Sequence, residues 1–542
     1  MVVLFMVLKD DNINQTMLVP MDLRNLIPED HPCYFIKNVV DLIDCSKANQ
    51  EFRGKPGEFA YPRELLLRLI LMSVFDGGLS SREIERKTRT DIAYMYLAAM
   101  EKPSYRTIAR FKVDYTDLID EAFKTTIKIA KENDLIKIHH VSLDGTKIKA
   151  KTSINKLTDE NQIKIMKKHL KKSIELDQKE DEELEDESGN SVPESLTDKE
   201  KFKETVKEIQ KSSKNNRNKD KLRSSSLNLL KQAEKNPKKV LKKLDKLEEK
   251  VKESPKDVIS INDPDARLMK NKKGKWEWDY NAQIIVDEYK GIILSSYITQ
   301  NPTDHFELIP SIEQLESNLI EIYDELPSNF QFSADNGYST DENTTYLEEK
   351  GLDGYISTRK LSRKEKKYNL WEKPFKKDNF TYDAEIETYI CPLGEILYRR
   401  RTYEYKNKQR ITYWTNECKN CVMKEICCDK KNYRTIQDYG NPSKIRMQRK
   451  METDWAQKIY KKRSKTAELP FAHIKQNMKL HEFTTTGIKN TNTEFKLYTI
   501  GHNLKRIYKE KNKKKKKKKK KIKKKLKKTK IQLKILRHIL NF

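Results

Sequence analysis

The stretch Ile138-His139-His140-Val141-Ser142-Leu143-Asp144-Gly145-Thr146 decides the fold class of this 542-residue chain. Its apolar and β-branched residues predict a strand, and the Asp-Gly pair predicts that the strand ends at Asp144. A second short strand, Phe330-Gln331-Phe332-Ser333-Ala334, runs into Asp335-Asn336-Gly337 in the same way. Taken singly, each of these two motifs, Asp144-Gly145 and Asp335-Asn336-Gly337, is also typical of an ordinary turn. Together they place two carboxylates at two predicted strand ends.

The elements between and after these two strands indicate a mixed sheet. Residues 276–286 and 291–298 predict a hairpin, a helix follows from Asn301 to about Leu315, and Gly354-Tyr355-Ile356-Ser357-Thr358 predicts a last strand. The resulting order, βββαβαβ, is an α/β sheet flanked by helices. Ligands of open α/β sheets bind at the carboxyl ends of strands, so we expect Asp144 and Asp335 to share one site. Two carboxylates with water and substrate phosphates suit Mg²⁺.

The segments outside this sheet have distinct compositions. Residues 15–130 predict helices separated by a Gly-containing turn, which fits either a helix-turn-helix module or a helical bundle with charged outer faces. Residues 151–257 contain a single aromatic residue, Phe202, and predict a charged insertion that is mostly helical and partly disordered. Within it, Val240, Leu244, Leu247 and Val251 recur at a heptad-like spacing typical of one amphipathic or coiled-coil helix.

The formal net charge of +29 is distributed unevenly. Residues 509–542 contain eighteen Lys and one Arg against one Glu, which gives +18 and leaves +11 for the rest of the chain. The run Lys513 to Lys521 repels itself, so this Lys-rich tail is interpreted as a disordered low-complexity extension or as a DNA-binding arm.

Composition also excludes several classes of protein. No apolar run reaches the roughly 18–20 residues that a membrane span needs, and Met1 to Leu8 lacks the basic flank and cleavage site of a signal peptide. The cysteine count of seven is odd and does not fit a secreted disulfide framework. The sequence therefore predicts a cytoplasmic, nucleoid-associated protein with no membrane partner.

Five of the seven cysteines lie within residues 391–428. A CxxC pair with two further thiols at flexible distance can form a tetrahedral Cys₄ zinc site. The alternative is a set of reduced, buried thiols in a small β-rich insertion. The candidate zinc ligands are Cys391, Cys418, Cys421 and either Cys427 or Cys428.

A late segment, residues 455–479, is rich in helix-forming residues apart from Pro470. Glu468 and Lys475 are seven residues apart, which is two turns on one helix face. This spacing predicts a carboxylate and a cation directed toward one groove, although a solvated helix with incidental charges has the same pattern.

Several short motifs then occur in a characteristic order along residues 15 to about 505. The chain resembles bacterial insertion-sequence transposases that carry a DDE triad on an RNase H-like core, in particular the group with a helical N-terminal domain and a late cysteine cluster. The matching segments are Leu18-Val19-Pro20, Leu26-Ile27-Pro28-Glu29-Asp30-His31, Ser142-Leu143-Asp144-Gly145-Thr146, Ser260 to Arg267, Asn281-Ala282-Gln283, Ser333 to Tyr338 and Tyr460 to Lys475.

The resemblance implies that Asp144, Asp335 and Glu468 are the catalytic, metal-binding triad. It also implies that two Mg²⁺ ions, or Mn²⁺, are the cofactors, and that Lys475, Arg463 and Tyr460 contact DNA. The family signature has three residues between Arg and Glu, whereas four separate Arg463 from Glu468 here. One extra residue rotates Arg463 and Tyr460 by about 100° relative to Glu468 on a helix.

The expected function is a transposase that binds the terminal inverted repeats of its element, cleaves DNA and joins the ends to target DNA as a homodimer or larger assembly. The alternatives are a metal-dependent nuclease on the same fold without strand transfer and a catalytically silent DNA-binding derivative. The expected divisions are a helical domain over 15–130, a core over 136–150 and 258–360, the insertion 151–257, a Cys-rich β insertion over 361–450, a helical part of the core over 451–508, and the tail 509–542.

Overall fold

The computed structural model describes residues 22–51, 60–171, 222–234, 236–254, 256–271, 274–323, 330–357, 374–383, 385–405, 408–428 and 431–540. The expected disorder around residues 172–221 and the motif Leu18-Val19-Pro20 lie outside these ranges. The chain divides into two compact units. The first comprises residues up to 73 and 79–109, and the second comprises 74–78 and 110–542.

The first unit is helical, as the sequence predicts. Its described elements are a 3₁₀ turn at Leu23–Leu26, α1 (Pro32–Val40), α2 (Ser46–Gln50), α3 (Arg63–Phe75), α4 (Ser81–Thr90) and α5 (Ile92–Leu97), and α6 (Tyr105–Asp114) starts within it. A capping box fixes the start of α4, because the Ser80 hydroxyl accepts from the Glu83 amide and the Glu83 carboxylate accepts from the Ser80 amide. Glu85 of α4 then accepts the Tyr105 amide at 3.2 Å, which ties α4 to the start of α6.

The second unit contains the sheets and the remaining helices. Its strands are β1 (His140–Lys149), β2 (Leu157–Asp159), β3 (Val258–Ser260), β4 (Arg267–Lys270), β5 (Trp276–Asp287), β6 (Ile293–Thr299), β7 (Gln331–Ala334), β8 (Asp353–Ile356), β9 (Thr381–Asp383), β10 (Thr388–Ile390), β11 (Ile396–Tyr405), β12 (Lys408–Trp414) and β13 (Ile436–Gly440). Its helices are α7 (Thr116–Glu132), α8 (160–171), α9 (Ser224–Lys231), α10 (Pro237–Lys252), α11 (Leu308–Ile320), α12 (Asp341–Glu349), α13 (Lys424–Cys428), α14 (Pro442–Lys450), α15 (Asp454–Ala472) and α16 (Ile488–Leu540).

The main sheet has the spatial order β6-β5-β1-β7-β8, with β4 paired to the outer side of β5. The first three strands are antiparallel, whereas β1, β7 and β8 are parallel. Apart from the additional strand β4, which the sequence analysis did not predict, this is the predicted βββαβαβ order with the insertion after the first strand. The predicted RNase H-like α/β class is therefore confirmed.

The last helix holds the sheet against α7. The Asn503 side chain of α16 accepts from the Ile293 amide at 2.8 Å, and its Nδ2 donates to the Ile293 carbonyl and to the Thr126 hydroxyl of α7. Since α7 lies in the second unit, the division falls between residues 109 and 110 rather than near residue 130.

The charged insertion builds a small core of its own. The heptad-spaced Val240, Leu244, Leu247 and Val251 of α10 are all buried, and they pack with residues of α8 and α9 such as Met166 and Leu229. The paired strands β2 and β3 close this core. The predicted amphipathic helix is thus confirmed as α10, and its apolar face packs within the insertion.

The Cys-rich segment forms an antiparallel sheet in the order β13-β12-β11-β10-β9. Further on, α16 runs through the lysine run to Leu540, so the tail continues a helix rather than a separate arm. Among the described residues, no helix is long and apolar enough to span a membrane.

Candidate active site

The register of β1 and β7 places the two predicted aspartates at one edge of the sheet. Ser142 of β1 pairs with Ser333 of β7, and their hydroxyl oxygens are 2.8 Å apart. Asp144 and Asp335 each follow two residues after these paired serines. Because the strands are parallel, both aspartates leave the ladder at the same level. Two carboxylates that are far apart in sequence therefore lie side by side.

Only one of the two strand ends matches the sequence prediction. Strand β7 does end at Ala334, directly before Asp335, whose carboxylate accepts the Gly337 amide at 2.7 Å. Strand β1 does not end at Asp144. It continues to Lys149, paired with β5, and Asp144 lies opposite Ile284. The Asp-Gly pair here is part of a strand, and the site forms where β1 loses its neighbour β7.

Arg463 of α15 contacts Asp144 directly. Its Nη2 lies 2.8 Å from Asp144 Oδ1, with the side chains 10% and 16% exposed. Burial raises the pKa of Asp144 to about 6; the Arg463 guanidinium opposes this rise, and the nearby Asp335 and Asp304 carboxylates add to it. The extra residue before Glu468 therefore does not turn Arg463 away from the site.

Asp304 is a third carboxylate at this edge that sequence reasoning missed. Its Oδ1 accepts from Asn281 Nδ2 and from Gln283 Nε2, both at 2.8 Å. A Cβ atom at Gly145 would lie 2.4 Å from Gln283 Nε2 and 2.7 Å from Asp304 Oδ1, so only glycine permits this approach. The sequence Asn301-Pro302-Thr303-Asp304 predicts a helix start, and only its place beside Asn281-Ala282-Gln283 in the fold connects it with the site.

Glu468 lies apart from the aspartates. It is exposed on α15, and its Oε2 is 3.5 Å from the Ser464 hydroxyl. It is not among the charged groups that shift the pKa of Asp144. Among the described residues, no group of three His, Cys, Asp or Glu side chains lies close enough together to hold a metal ion. The structure thus brings Asp144 and Asp335 together and leaves Glu468 on the open side of the helix.

Lys475 reaches β1 from the end of the same helix. Its Nζ lies 2.6 Å from the Thr146 hydroxyl and 3.0 Å from the Lys147 carbonyl oxygen. Lys475 lies within a π-helical turn, His473–Asn477, that follows α15. Tyr460, one turn before Arg463, is half-buried and interacts electrostatically with it. Lys475 and Arg463 therefore both contact β1, whereas Glu468 is exposed.

The donor set at this edge suits a hard cation. Asp144 and Asp335 offer only oxygen ligands, and Mg²⁺ is commonly held by one or two carboxylates, waters and substrate phosphates. Arg463 already places a positive charge on Asp144. The pair therefore fits the divalent ion that the resemblance implies.

The acidic pair Asp263 and Asp265 has a structural role. Asp263 is fully buried and accepts from the Tyr280 hydroxyl at 2.7 Å and from the Gly487 amide at 3.0 Å. Asp265 accepts the Ile488 amide at 3.1 Å. These bonds hold the start of α16, where the helix dipole favours negative charge.

The cysteines of the late cluster fall into two groups. Cys391 Sγ accepts the backbone amides of Leu393 and Glu395, both at 3.3 Å. Cys418, Cys421, Cys427 and Cys428 lie near one another; burial raises the pKa of Cys418 and Cys427, to about 12 for Cys427, and the neighbouring Cys428 adds to both. Cys391 and Cys427 pack against the same core of the Cys-rich sheet. All five are free thiols.

Comparison with known families now adds to this geometry. Residues 21–114 match the family model described as a transposase domain (DUF772), and residues 390–508, which include Arg463, Glu468 and Lys475, match the transposase DDE domain. A comparison with curated proteins gave no match.

Both matches are to domains of transposases, and they flank the RNase H-like sheet that carries the two aspartates. These matches support an insertion-sequence transposase of the DDE type.

Proposed function

We propose that this transposase binds the terminal inverted repeats of its element, cleaves DNA there and joins the freed 3′ ends to target DNA as a homodimer or larger assembly on the nucleoid. The observation that carries the proposal is the β1–β7 register, which sets Asp144 and Asp335 side by side. Both reactions are in-line phosphoryl transfers, in which a protein contributes positioning and charge neutralisation.

Asp144, Asp335 and Glu468 would hold the divalent ions. Mg²⁺ or Mn²⁺, when bound, supplies Lewis acidity at the attacking and leaving oxygens. The assignment of Glu468 to the triad depends on the family signature, because its side chain is exposed rather than directed at the aspartates. Rotation about its flexible side chain, or DNA bound against α15, must bring it to the aspartates for the triad to form.

The other residues of the site position DNA and the carboxylates. Arg463 holds Asp144 through a 2.8 Å ion pair and keeps a positive charge where phosphate oxygens would approach. Lys475, anchored on Thr146 and Lys147, offers a second cation on the same strand. The exposed Arg82, Arg89 and Arg106 of the first unit are available to the phosphates of the element ends.

We further propose that Cys391, Cys418 and Cys421 hold a structural Zn²⁺ together with Cys427 or Cys428. Two backbone amides donate to Cys391 Sγ, and Cys418, Cys421 and Cys428 are near enough to interact electrostatically. The thiols must move closer together for the site to form, since no three of them lie at metal-binding distance within the described residues. Coordination would deprotonate them and hold the β11–β12 arm to α13.

Asp144→Asn and Asp335→Asn test the proposal in a Mg²⁺-dependent cleavage and strand-transfer assay with paired element ends. We expect both variants to bind ends and to lose cleavage. Asp117→Asn, an exposed aspartate on α7, is the matched control. Comparing Glu468→Gln with Asp304→Asn shows which carboxylate completes the site, and cleavage by Asp144→Asn at the wild-type rate refutes the assignment. Cleavage without joining would indicate a nuclease.

A further inference from the structure

A groove of about 840 Å³ lies beside β1, beyond the aspartates. Its walls are the end of β1 with the following segment, the start of β5, and two isolated positions contributed by Asn262 and Glu482. The charged insertion leaves the core through 151–154 and returns near Asn262, so both connections of the insertion border the groove.

An exposed aromatic ring lies in this groove. Trp276, at the start of β5, is 46% exposed, whereas Trp278, two residues further on, is 1% exposed and belongs to the core. Lys256 Nζ lies 3.7 Å from the centroid of the Trp276 ring. Trp276 thus presents part of its indole to solvent with a cation over one ring face, and an aromatic side chain among cations can stack with a nucleic-acid base on its other face.

The polar groups of the groove favour an anion. Three lysines and two glutamates line it. Glu482 forms an ion pair with Lys149 at 2.6 Å, whereas Glu277 accepts from the neutral Asn271 amide at 2.7 Å, which leaves two lysines against one glutamate. Lys151 donates to a backbone carbonyl and keeps its charge. Lys275 is exposed, and within the described residues its ammonium has no ion-pair partner. The remaining charge is therefore positive.

The groove lies further along β1 than the candidate active site. Lys149 follows Asp144 by five residues, which is about 16 Å at the usual rise, and this odd spacing places the two side chains on opposite faces of the strand. Lys475, bound to Thr146 and Lys147, lies at a level between them. The groove is therefore a surface separate from the two aspartates.

We propose that this groove binds an unpaired nucleotide of the DNA strand, with the base stacked on Trp276 and the flanking phosphates on Lys275 and Lys151. The inference rests on the proposed function, because it takes DNA as the ligand. It goes beyond that function by assigning a separate subsite for single-stranded DNA. The groove is basic and contains an aromatic platform, which suits a splayed base better than the uniform backbone of a duplex.

The test measures binding of the full chain to a blunt duplex and to the same duplex with a 3′ oligothymidine extension, by fluorescence anisotropy without divalent ions. Wild type should prefer the extended DNA. Trp276→Ala should lose roughly five- to 150-fold in affinity for the extended DNA and leave duplex binding unchanged. Trp276→Phe keeps an aromatic face and should retain most of the preference. Lys275→Ala should lower the salt slope for the extended DNA by about 0.7.

Trp455→Ala is the control, because Trp455 is 51% exposed but lies on α15 outside the groove. Equal binding of the extended DNA by wild type and Trp276→Ala, with both proteins folded by circular dichroism, overturns the inference. Binding and cleavage give separate answers. A wild type that fails to cleave DNA refutes the proposed function, whereas loss of the Trp276 effect in a cleaving enzyme refutes only the groove.

Discussion

We expect the second unit to lose stability as the pH falls from 7 to 5, because it contains the contacting pair His473, which is partly exposed, and His502, which is fully buried. Their Nδ1 atoms are 3.1 Å apart, and His502 Nε2 lies 2.9 Å from the Gly291 carbonyl oxygen. Since that oxygen only accepts, His502 carries its proton on Nε2, and His473 donates to His502 Nδ1. Burial, with smaller contributions from nearby Lys505 and Arg506, lowers the pKa of His473 to about 4 and of His502 to about 3, and the Gly291 hydrogen bond opposes the shift at His502.

Proton linkage gives the direction and the magnitude of this change in stability. Between the folded pKa values and the unfolded value of about 6.5, the unfolded chain binds more protons, so stability is present above pH 6.5 and is lost on acidification. A histidine that stays neutral in the fold costs about 2 kcal/mol at pH 5 relative to pH 7. Because His502 is fully buried, we expect it to contribute this full loss of stability. His473 is partly exposed and adds less.

The measurement is native-state hydrogen exchange of peptides from α16, corrected for intrinsic rates at each pH. His502→Gln keeps an amide donor for Gly291 but does not titrate. Wild type should lose about 2 kcal/mol more opening free energy than this variant between pH 7 and 5. His481→Gln, at an exposed position, should behave as wild type. Equal losses in wild type and His502→Gln would refute the reasoning.

Three further changes have defined outcomes. Gly145→Ala should displace Gln283 and reduce cleavage at least tenfold while circular dichroism stays native, because its Cβ would overlap the Gln283 amide; wild-type cleavage would contradict this. Metal analysis should find stoichiometric zinc in wild type and in Cys33→Ser but not in Cys421→Ser, and zinc-free wild type argues for reduced thiols. Deleting Lys511–Phe542 should weaken non-specific DNA binding and its salt dependence but spare cleavage, and loss of cleavage would place the tail in the working enzyme.

The sheet order could be predicted because its signals are local. Each core strand carries its own β-branched or aromatic run, and the handedness and burial of parallel strands leave few arrangements for βββαβαβ. The extent of β1 could not be predicted. Asp144-Gly145 has the composition of a turn, yet pairing of Gly145 with Gln283 continues the ladder to Lys149. Tertiary pairing overrode the local preference.

The candidate site was predictable only in part for the same reason. Asp144 and Asp335 follow strands, so their proximity follows from the topology. Asp304 does not directly follow a strand. Its proximity to Gly145 becomes apparent only when β5, whose Gln283 donates to Asp304, is placed beside β1. The family spacing predicts that the additional residue turns Arg463 away from Glu468. The π-helical turn after Ala472 accommodates one extra residue, so Arg463 and Lys475 both contact β1 although twelve positions separate them.

Net charge is a poor guide to where this protein meets DNA. The tail holds +18 of the +29 and lies on one helix, so it attracts any polyanion alike. Specific contact needs cations at fixed positions beside the carboxylates, and Arg463 and Lys475 supply them where they contact Asp144 and Thr146 of β1. The contributions of the Lys-rich tail and of the fixed cations to DNA binding are therefore separable by experiment. Removing the tail should lower the salt slope for duplex and single-stranded DNA equally, whereas Lys275→Ala should lower it only where an unpaired strand enters the groove.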